Sequence, residues 1–184
     1  MRCGAAGAAG AAPPLPARPP AICFVDLSGY TALTEQIGDQ AAAERVGRLG
    51  TLLQELAHSH GGRVVKLLGD GGDAGVPRPC RSGRCGLEMV EQVQEAGLPS
   101  ARAGIASGPV IFRDGDCYGR VVNLAARVID RARPRQVLAT PDVVAVTPRE
   151  HARFQDLGPV HLKGIAAPIE LSVASLLAAT ASLA

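Results

Sequence analysis

Four segments of the chain repeat apolar residues at the spacing of an amphipathic helix. Four leucines between positions 49 and 56 recur three or four residues apart, which places them on one face of a helix. Gly61 and Gly62 then end that helix. The predicted helices are Tyr30–His60 with an interruption near Gly38-Asp39, Cys85–Ala96, Gly119–Arg131 and Pro141–Val146.

Apolar runs that are too short for a helix predict strands between these segments. Two of the runs, Ala101–Ser107 and Val110–Arg113, are predicted to pair as a hairpin across Gly108-Pro109. Strands alternating with helices and hairpins indicate an α+β fold, in which we expect the helices to cover one face of the sheet. The predicted strands are Ala21–Val25, Arg63–Leu68, Ala101–Ser107, Val110–Arg113, Gln136–Ala139, Phe154–Leu157, Val160–Lys163 and Ile169–Ala174.

Two aspartates are the main candidates for chemistry. Asp26 ends the first apolar run, and Asp70 lies in a glycine-flanked turn after the second. Ser28 and Gly29 allow a tight turn into a helix whose N-terminal amides favour phosphate. Two carboxylates at neighbouring strand ends beside such a helix suit Mg²⁺ that carries a nucleotide's phosphates. Taken singly, each also fits a structural role, one as an N-cap and the other as a turn residue.

Together with their flanks, the aspartates resemble the signatures of the class III nucleotidyl cyclase catalytic domain, in its compact bacterial type. Phe24–Thr31 matches the pattern Phe-x-Asp-x-x-Gly-[Phe/Tyr]-Thr, and Lys66–Asp70 matches Lys-x-x-Gly-Asp. Asp116–Arg127 is similar to the helix that supplies substrate contacts, and Leu162–Gly164 to the late phosphate-binding segment. The four matches occur in order between about residues 21 and 176.

The resemblance implies a ferredoxin-like core of βαββαβ type, with helices packed on a mainly antiparallel sheet. It also implies that Asp26, Asp70 and the Leu27 carbonyl hold two Mg²⁺ or Mn²⁺ ions on the triphosphate of ATP. The backbone amides of residues 28–31 would cradle the β- and γ-phosphates. Those four residues are Ser28, Gly29, Tyr30 and Thr31.

The remaining roles that the resemblance implies belong to five polar side chains. Asn123 would position the ribose, while Arg127 and Lys163 would neutralise charge on the α-phosphate and on pyrophosphate. Lys66 and Asp116 occupy the purine-selecting positions in the form that reads adenine. The implied activity is that of an adenylate cyclase, which converts ATP to 3′,5′-cyclic AMP and pyrophosphate. Taken alone, Lys66, Arg127 and Lys163 also fit solvated surface positions.

The active sites of this family form across a two-fold dimer. One chain gives the metal aspartates and its partner gives the base, ribose and phosphate contacts. Because this chain carries every role, the resemblance implies a homodimer with two complete sites. The alternative is a catalytically impaired module that retains the fold for regulation or dimerisation, with or without nucleotide binding.

The stretch after Asp70 departs from the family pattern. Residues 71–84 contain four glycines, two prolines and Asp73 where the family has an apolar strand. Moved by one base, a codon set for residues 72–77 reads Val-Met-Leu-Ala-Phe, the expected strand. A compensated frameshift over residues 72–84 and a divergent loop are both open.

Composition adds limits to this interpretation. The Ala-, Gly- and Pro-rich residues 1–20 predict a disordered tail, followed by a cyclase domain over 21–176 and a short tail over 177–184. The net charge of +2 argues against a nucleic acid polymer as partner. Five cysteines without zinc spacing indicate reduced thiols in the cytoplasm, and no stretch has the length of a membrane segment. The sequence leaves open a regulatory domain in a longer parent chain.

Overall fold

The computed structural model describes residues 19–64, 79–80 and 83–177. Within these residues, six strands form one mixed sheet and two more form a separate hairpin. In chain order the strands are β1 (Ala21–Leu27), β2 (Pro79–Cys80), β3 (Ala101–Ser107), β4 (Ile111–Arg113), β5 (Asp116–Tyr118), β6 (Val137–Ala139), β7 (Ala152–Val160) and β8 (Ile169–Leu176).

The helices fall close to the predicted segments. Gly38, with a φ of 81°, separates the first two helices where the interruption was predicted. None of the described helices combines the length and the apolar character that a membrane span requires. The helices are α1 (Tyr30–Ile37), α2 (Asp39–Ser59), α3 (Gly83–Glu95), α4 (Arg120–Ile129) and α5 (Pro141–Val146).

The sheet has the strand order β2-β1-β3-β6-β8-β7. Only β3 and β6 pair in parallel among its described strands, and all the other neighbours are antiparallel. The prediction of an α+β fold with a mainly antiparallel sheet is therefore confirmed.

Helices pack on both faces of the sheet, so the prediction that they cover one face is wrong. Alternate residues of β1 point in opposite directions. Cys23 and Val25 join the core that α2, α3 and α5 cover, whereas Ile22 joins Val121 and Ala125 of α4 on the other face. The reason is that β1 and β3 are apolar on both faces, which requires two covers.

A glycine lets α4 approach the centre of the sheet closely. A Cβ atom on Gly104 of β3 would lie 2.3 Å from the backbone nitrogen of Ile129 and 2.9 Å from the carbonyl oxygen of Ala125. On the opposite face, a Cβ atom on Gly86 of α3 would meet the flexible end of Ile105 at 2.5 Å. The position of α4 therefore depends on the absence of a side chain at residue 104.

The predicted hairpin between residues 101–107 and 110–113 is wrong. Strand β3 pairs with β1 and β6, while β4 pairs with β5. The turn lies at Asp114 and Gly115, whose φ angles of 53° and 82° fit the left-handed turn that such dipeptides favour. The dipeptide Asp114-Gly115 therefore forms the hairpin turn, and Gly108-Pro109 does not.

Two strand boundaries also differ from prediction. Strand β1 continues to Leu27, so Asp26 lies inside it. The predicted strand at 154–157 lies within β7, which runs on to Val160 and whose register shifts between Asp156 and Gly158. Residues 161–163 of the second predicted strand are not in a strand. A bulge at Gly158, with a φ of 77°, lets the strand continue through the break in the apolar pattern.

Several predictions lie outside the described residues. These are most of the strand at 63–68, the segment at 71–84 apart from β2 and the start of α3, and most of both tails. Strand β2 pairs Pro79 and Cys80 with Ile22 and Ala21 at the edge of the sheet, where a proline is tolerated.

Candidate active site

Asp26 is buried near the end of β1 and is held by an arginine on the neighbouring strand. Its exposure is 5%, and Arg102 lies directly opposite it in the register of β1 and β3. The Nε and Nη2 atoms of Arg102 lie 2.8 and 2.7 Å from Oδ2 of Asp26. Its Nη1 donates to the carbonyl of Ala132 beyond α4, at 3.4 Å. A buried carboxylate requires such pairing, and Arg102 supplies it and fixes the orientation of Asp26.

Sequence reasoning missed Arg102. Its signal was an arginine inside the otherwise apolar run Ala101–Ser107, because a charge within a buried strand needs a partner. In the structure this partner is Asp26, the first candidate metal ligand.

The start of α1 lies directly after Asp26. Gly29 enters the helix with a φ of 88°, which favours glycine, and no side chain caps α1. The amide of Ser28 donates to the carbonyl of Ser100 at 2.7 Å, so it is not available to phosphate. In the part of the chain that the structure describes, the amides of Gly29, Tyr30 and Thr31 have no acceptor. Of the four amides at residues 28–31 that were expected to bind phosphate, only those of residues 29–31 therefore remain candidates.

Asn123 and Arg127 share the solvent side of α4. They are four residues apart and both are exposed, whereas the buried side carries Val121, Ala125 and Val128. Nη1 of Arg127 lies 3.1 Å from Oδ2 of Asp130, in an exposed ion pair of the kind that contributes little to stability. Neither side chain is fixed by the core of its own chain.

Lys163 lies in the turn after β7, on the same flank of the domain as α4. The preceding residue, Leu162, is buried in a cluster with Val128 of α4, and Gly164 turns the chain with a φ of 77°. Lys163 itself is exposed. Burial of Leu162 thus brings Lys163 to the region of Arg127.

Asp116 begins β5 in the separate hairpin. Its Oδ1 accepts a hydrogen bond from the amide of Cys117 at 2.8 Å, which orients the carboxylate relative to the strand. Burial raises the pKa of the Cys117 thiol, and the charge of Asp116 raises it further. Cys117 is therefore a neutral side chain at neutral pH.

Lys66 and Asp70 lie outside the described residues, so their placement beside Asp116 and Asp26 remains a prediction. Among the described residues, no three His, Cys, Asp or Glu side chains form a metal-binding group. The Asp26 carboxylate and the Leu27 carbonyl are hard oxygen donors at one strand end, which is the donor type that Mg²⁺ and Mn²⁺ take. The donor set fits such an ion, with Asp70 as the further carboxylate.

A mixed sheet, a buried carboxylate near a strand end and an open helix start are compatible with a nucleotidyl cyclase domain. The family model described as the adenylate and guanylate cyclase catalytic domain matches residues 16–174. The chain belongs to this family.

Two bacterial adenylate cyclases are among the relatives of this chain. The pH-sensitive adenylate cyclase MT1302 of Mycobacterium tuberculosis (strain CDC 1551 / Oshkosh) is 34% identical over 172 residues, covering 90% of this chain and 43% of the relative. The adenylate cyclase of Glutamicibacter nicotianae is 33% identical over 157 residues, covering 83% of this chain and 39% of the relative. The chain thus spans about two fifths of the length of these relatives.

The fold is shared with solved cyclase structures. The adenylyl cyclase CyaB from P. aeruginosa superposes with a TM-score of 0.71 over 85% of this chain and 93% of that chain, at 19% identity. This likeness confirms the predicted cyclase fold.

Proposed function

We propose that this chain is an adenylate cyclase, which converts ATP to 3′,5′-cyclic AMP and pyrophosphate. The observation that carries the proposal is the buried, arginine-held carboxylate of Asp26 beside the open amides of residues 29–31. Together they offer an acidic metal ligand and an anion site at one strand end. Family membership and relatives named adenylate cyclase support the same activity.

The triphosphate half of the site lies around β1. The amides of Gly29, Tyr30 and Thr31 bind the β- and γ-phosphates at the positive end of α1. Asp26, the Leu27 carbonyl and Asp70 hold the two metal ions, and Arg102 keeps Asp26 in place before the substrate arrives. When bound, Mg²⁺ or Mn²⁺ lowers the pKa of the ribose 3′-hydroxyl and neutralises phosphate charge.

The second half of the site comes from exposed side chains, which act on a nucleotide bound by a partner chain. Asn123 orients the ribose so that its 3′-oxygen attacks the α-phosphorus, while the bond to pyrophosphate breaks. Arg127 and Lys163 neutralise the charge that grows on the phosphates. The ion pair of Arg127 with Asp130 is exposed and weak, so phosphate oxygens can replace Asp130.

A homodimer would contain two complete sites, each of which combines the triphosphate half of one chain with the second half of its partner. The β4–β5 hairpin exposes three large apolar side chains, Ile111, Phe112 and Tyr118. Ile111 and Tyr118 lie opposite each other and share one face of the hairpin, and exposed apolar groups that lie together mark contact surfaces. This face is next to Asp116 and the start of α4. We assign it to the contact between two copies of this chain in the cytoplasm.

ATP is the proposed substrate because Lys66 donates to adenine N1 and Asp116 accepts from its 6-amino group. Guanine presents the opposite groups at both positions. The hydrogen bond from the Cys117 amide supports this role, because it leaves the second oxygen of Asp116 for the base.

The test is production of cyclic AMP by the purified chain from ATP with Mg²⁺ or Mn²⁺, with GTP assayed in parallel. Asp26→Asn removes the charge at nearly constant size, and we expect its rate to fall by ~10²-fold or more. Glu91→Gln, on the exposed side of α3, is the matched control and should retain the parental rate. An Asp26→Asn variant with parental activity would contradict the metal assignment.

The glycine- and proline-rich stretch at 71–84 favours a second candidate, a module that binds nucleotide without turnover. Assays on the same purified chain distinguish the enzyme from the nucleotide-binding module. ATP binding with no cyclic AMP from either metal indicates the module, whereas turnover that depends on Asp26 indicates the enzyme.

A further inference from the structure

The β4–β5 hairpin is anchored at few points. Its side chains Ile111, Phe112 and Tyr118 are 66, 44 and 52% exposed, while Cys117 is 5% exposed. Cys117 is the buried side chain among the six strand residues of the hairpin. The orientation of the hairpin therefore depends on the groups that contact the face on which Cys117 lies.

Arg63 contacts the hairpin on that side. Its guanidinium carbon lies 5.1 Å from the centre of the Phe112 ring, within the range of a cation–π contact. Phe112 and Cys117 are directly opposite each other in the hairpin register, so the ring and the thiol share one face. Burial and Asp116 raise the pKa of Cys117, while the positive charge of Arg63 lowers it.

The contact between Arg63 and Phe112 affects the position of the Asp116 carboxylate through the backbone of the hairpin. Asp116 is the neighbour of Cys117, and its carboxylate accepts the hydrogen bond of the Cys117 amide. The carboxylate thus turns with β5 as one unit. A shift of the hairpin face that Arg63 holds also shifts the oxygen that is offered to the base.

We propose that Arg63 is a positioning residue for base selection, which holds the hairpin through Phe112 so that Asp116 meets the purine. The proposal rests on the function proposed above, and it assigns a role to a residue outside the cyclase signatures. An exposed cation–π contact of this kind corresponds to about a two- to fivefold change in an equilibrium. We expect selectivity for ATP over GTP to change by that factor.

The experiment is a double-mutant cycle on the full chain. Arg63→Gln removes the cation, Phe112→Leu removes the ring, and a third variant carries both. The readout is the ratio of kcat/KM for ATP to that for GTP, because a smaller dimer fraction affects both nucleotides equally and cancels. Each single change should lower the ratio about two- to fivefold, and the double variant should lower it no further.

Two conservative variants and one control complete the set. Arg63→Lys keeps the cation and Phe112→Tyr keeps the ring, so both should restore most of the ratio. Arg153→Gln removes an exposed arginine from β7, at the far edge of the sheet, and should leave the ratio unchanged.

An unchanged ratio in the single variants, or losses that add in the double variant, would overturn the positioning role while leaving the cyclase proposal intact. If the parent binds ATP without turnover, the cyclase proposal fails. The ratio of dissociation constants for ATP and GTP then tests Arg63 by the same criteria. A parent that binds neither nucleotide overturns both proposals.

Discussion

The two halves of the candidate site are built in opposite ways. Asp26 is buried near the end of β1 and joined to Arg102 by two short contacts, whereas Arg127 is exposed on α4 and pairs with the nearby Asp130. The carboxylate is fixed by the fold of its own chain. The arginine is placed by a helix but is free to change its partner.

This difference indicates where a second surface is needed. The Asp26 carboxylate is already largely removed from water by its own chain and gains little from another subunit. Exposed groups such as Arg127 and Lys163 would act strongly on phosphate only when water is excluded around them. The contrast between the halves therefore favours a site that is completed by another chain.

The largest expected effect comes from separating the halves. Asp26→Asn and Arg127→Ala should each inactivate the chain, and an equal mixture should recover about a quarter of parental activity, because half of the dimers carry one intact site of two. Cyclic AMP production before and after mixing is the measurement. Demonstrated heterodimers without recovery would place both halves within one chain.

The next effect tests how α4 is placed. Gly104→Ala should destabilise the protein by about 3 kcal/mol, because the new methyl group meets the backbone of Ile129 and Ala125. Gly86→Ala should cost less, about 1 kcal/mol, because the end of the Ile105 side chain can move. Urea denaturation of both variants gives the two values. Equal losses would show that the α4 face is no more tightly packed than the α3 face.

Exchange of the base-reading pair, Lys66 and Asp116, tests the second half of the site alone. Lys66→Glu with Asp116→Cys should shift preference from ATP toward GTP by about tenfold or more, because each mismatched polar group costs about 1–3 kcal/mol. The measurement is the ratio of kcat/KM for the two nucleotides. An active double variant with an unchanged ratio would show that these side chains do not read the base.

The smallest effect concerns Glu88, a partly buried carboxylate on α3, away from the site. Burial raises the pKa of Glu88, but hydrogen bonds and charges from Arg84 and His60 outweigh it, and the net pKa lies below its ordinary value of 4.5. His60 Nε2 lies 2.5 Å from Oε2 of Glu88, and Arg84 contacts its Oε1. A lowered pKa means that Glu88 stabilises the fold above pH 4.5 and that this contribution is lost as pH falls below it.

Glu88→Gln should therefore lower the free energy of unfolding at pH 7 by less than about 1 kcal/mol. The difference between parent and variant should shrink as the pH falls below 4.5. Urea titrations at pH 7 and pH 4 measure it. A difference that grows on acidification would contradict the sign of the pKa shift.

The parts of the molecule that local signals define could be predicted from the sequence. The break at Gly38, helix α5 and the place of Asp26 at a strand end each depend on neighbouring residues. The partner of Asp26 could not be predicted, because Arg102 is 76 residues away and meets it only through strand register. The true turn of the hairpin was missed because two glycine-containing turn signals competed, and Asp114-Gly115 prevailed.

The ion pair of Asp26 and Arg102 also constrains how this lineage can lose activity. Removal of one partner from a buried pair costs about 3–5 kcal/mol, so a descendant that abandons catalysis cannot easily discard Asp26 alone. Stable inactive descendants should replace both residues together, with apolar side chains of similar volume. The state of residue 102 in a diverged copy would then record whether residue 26 was lost recently or long ago.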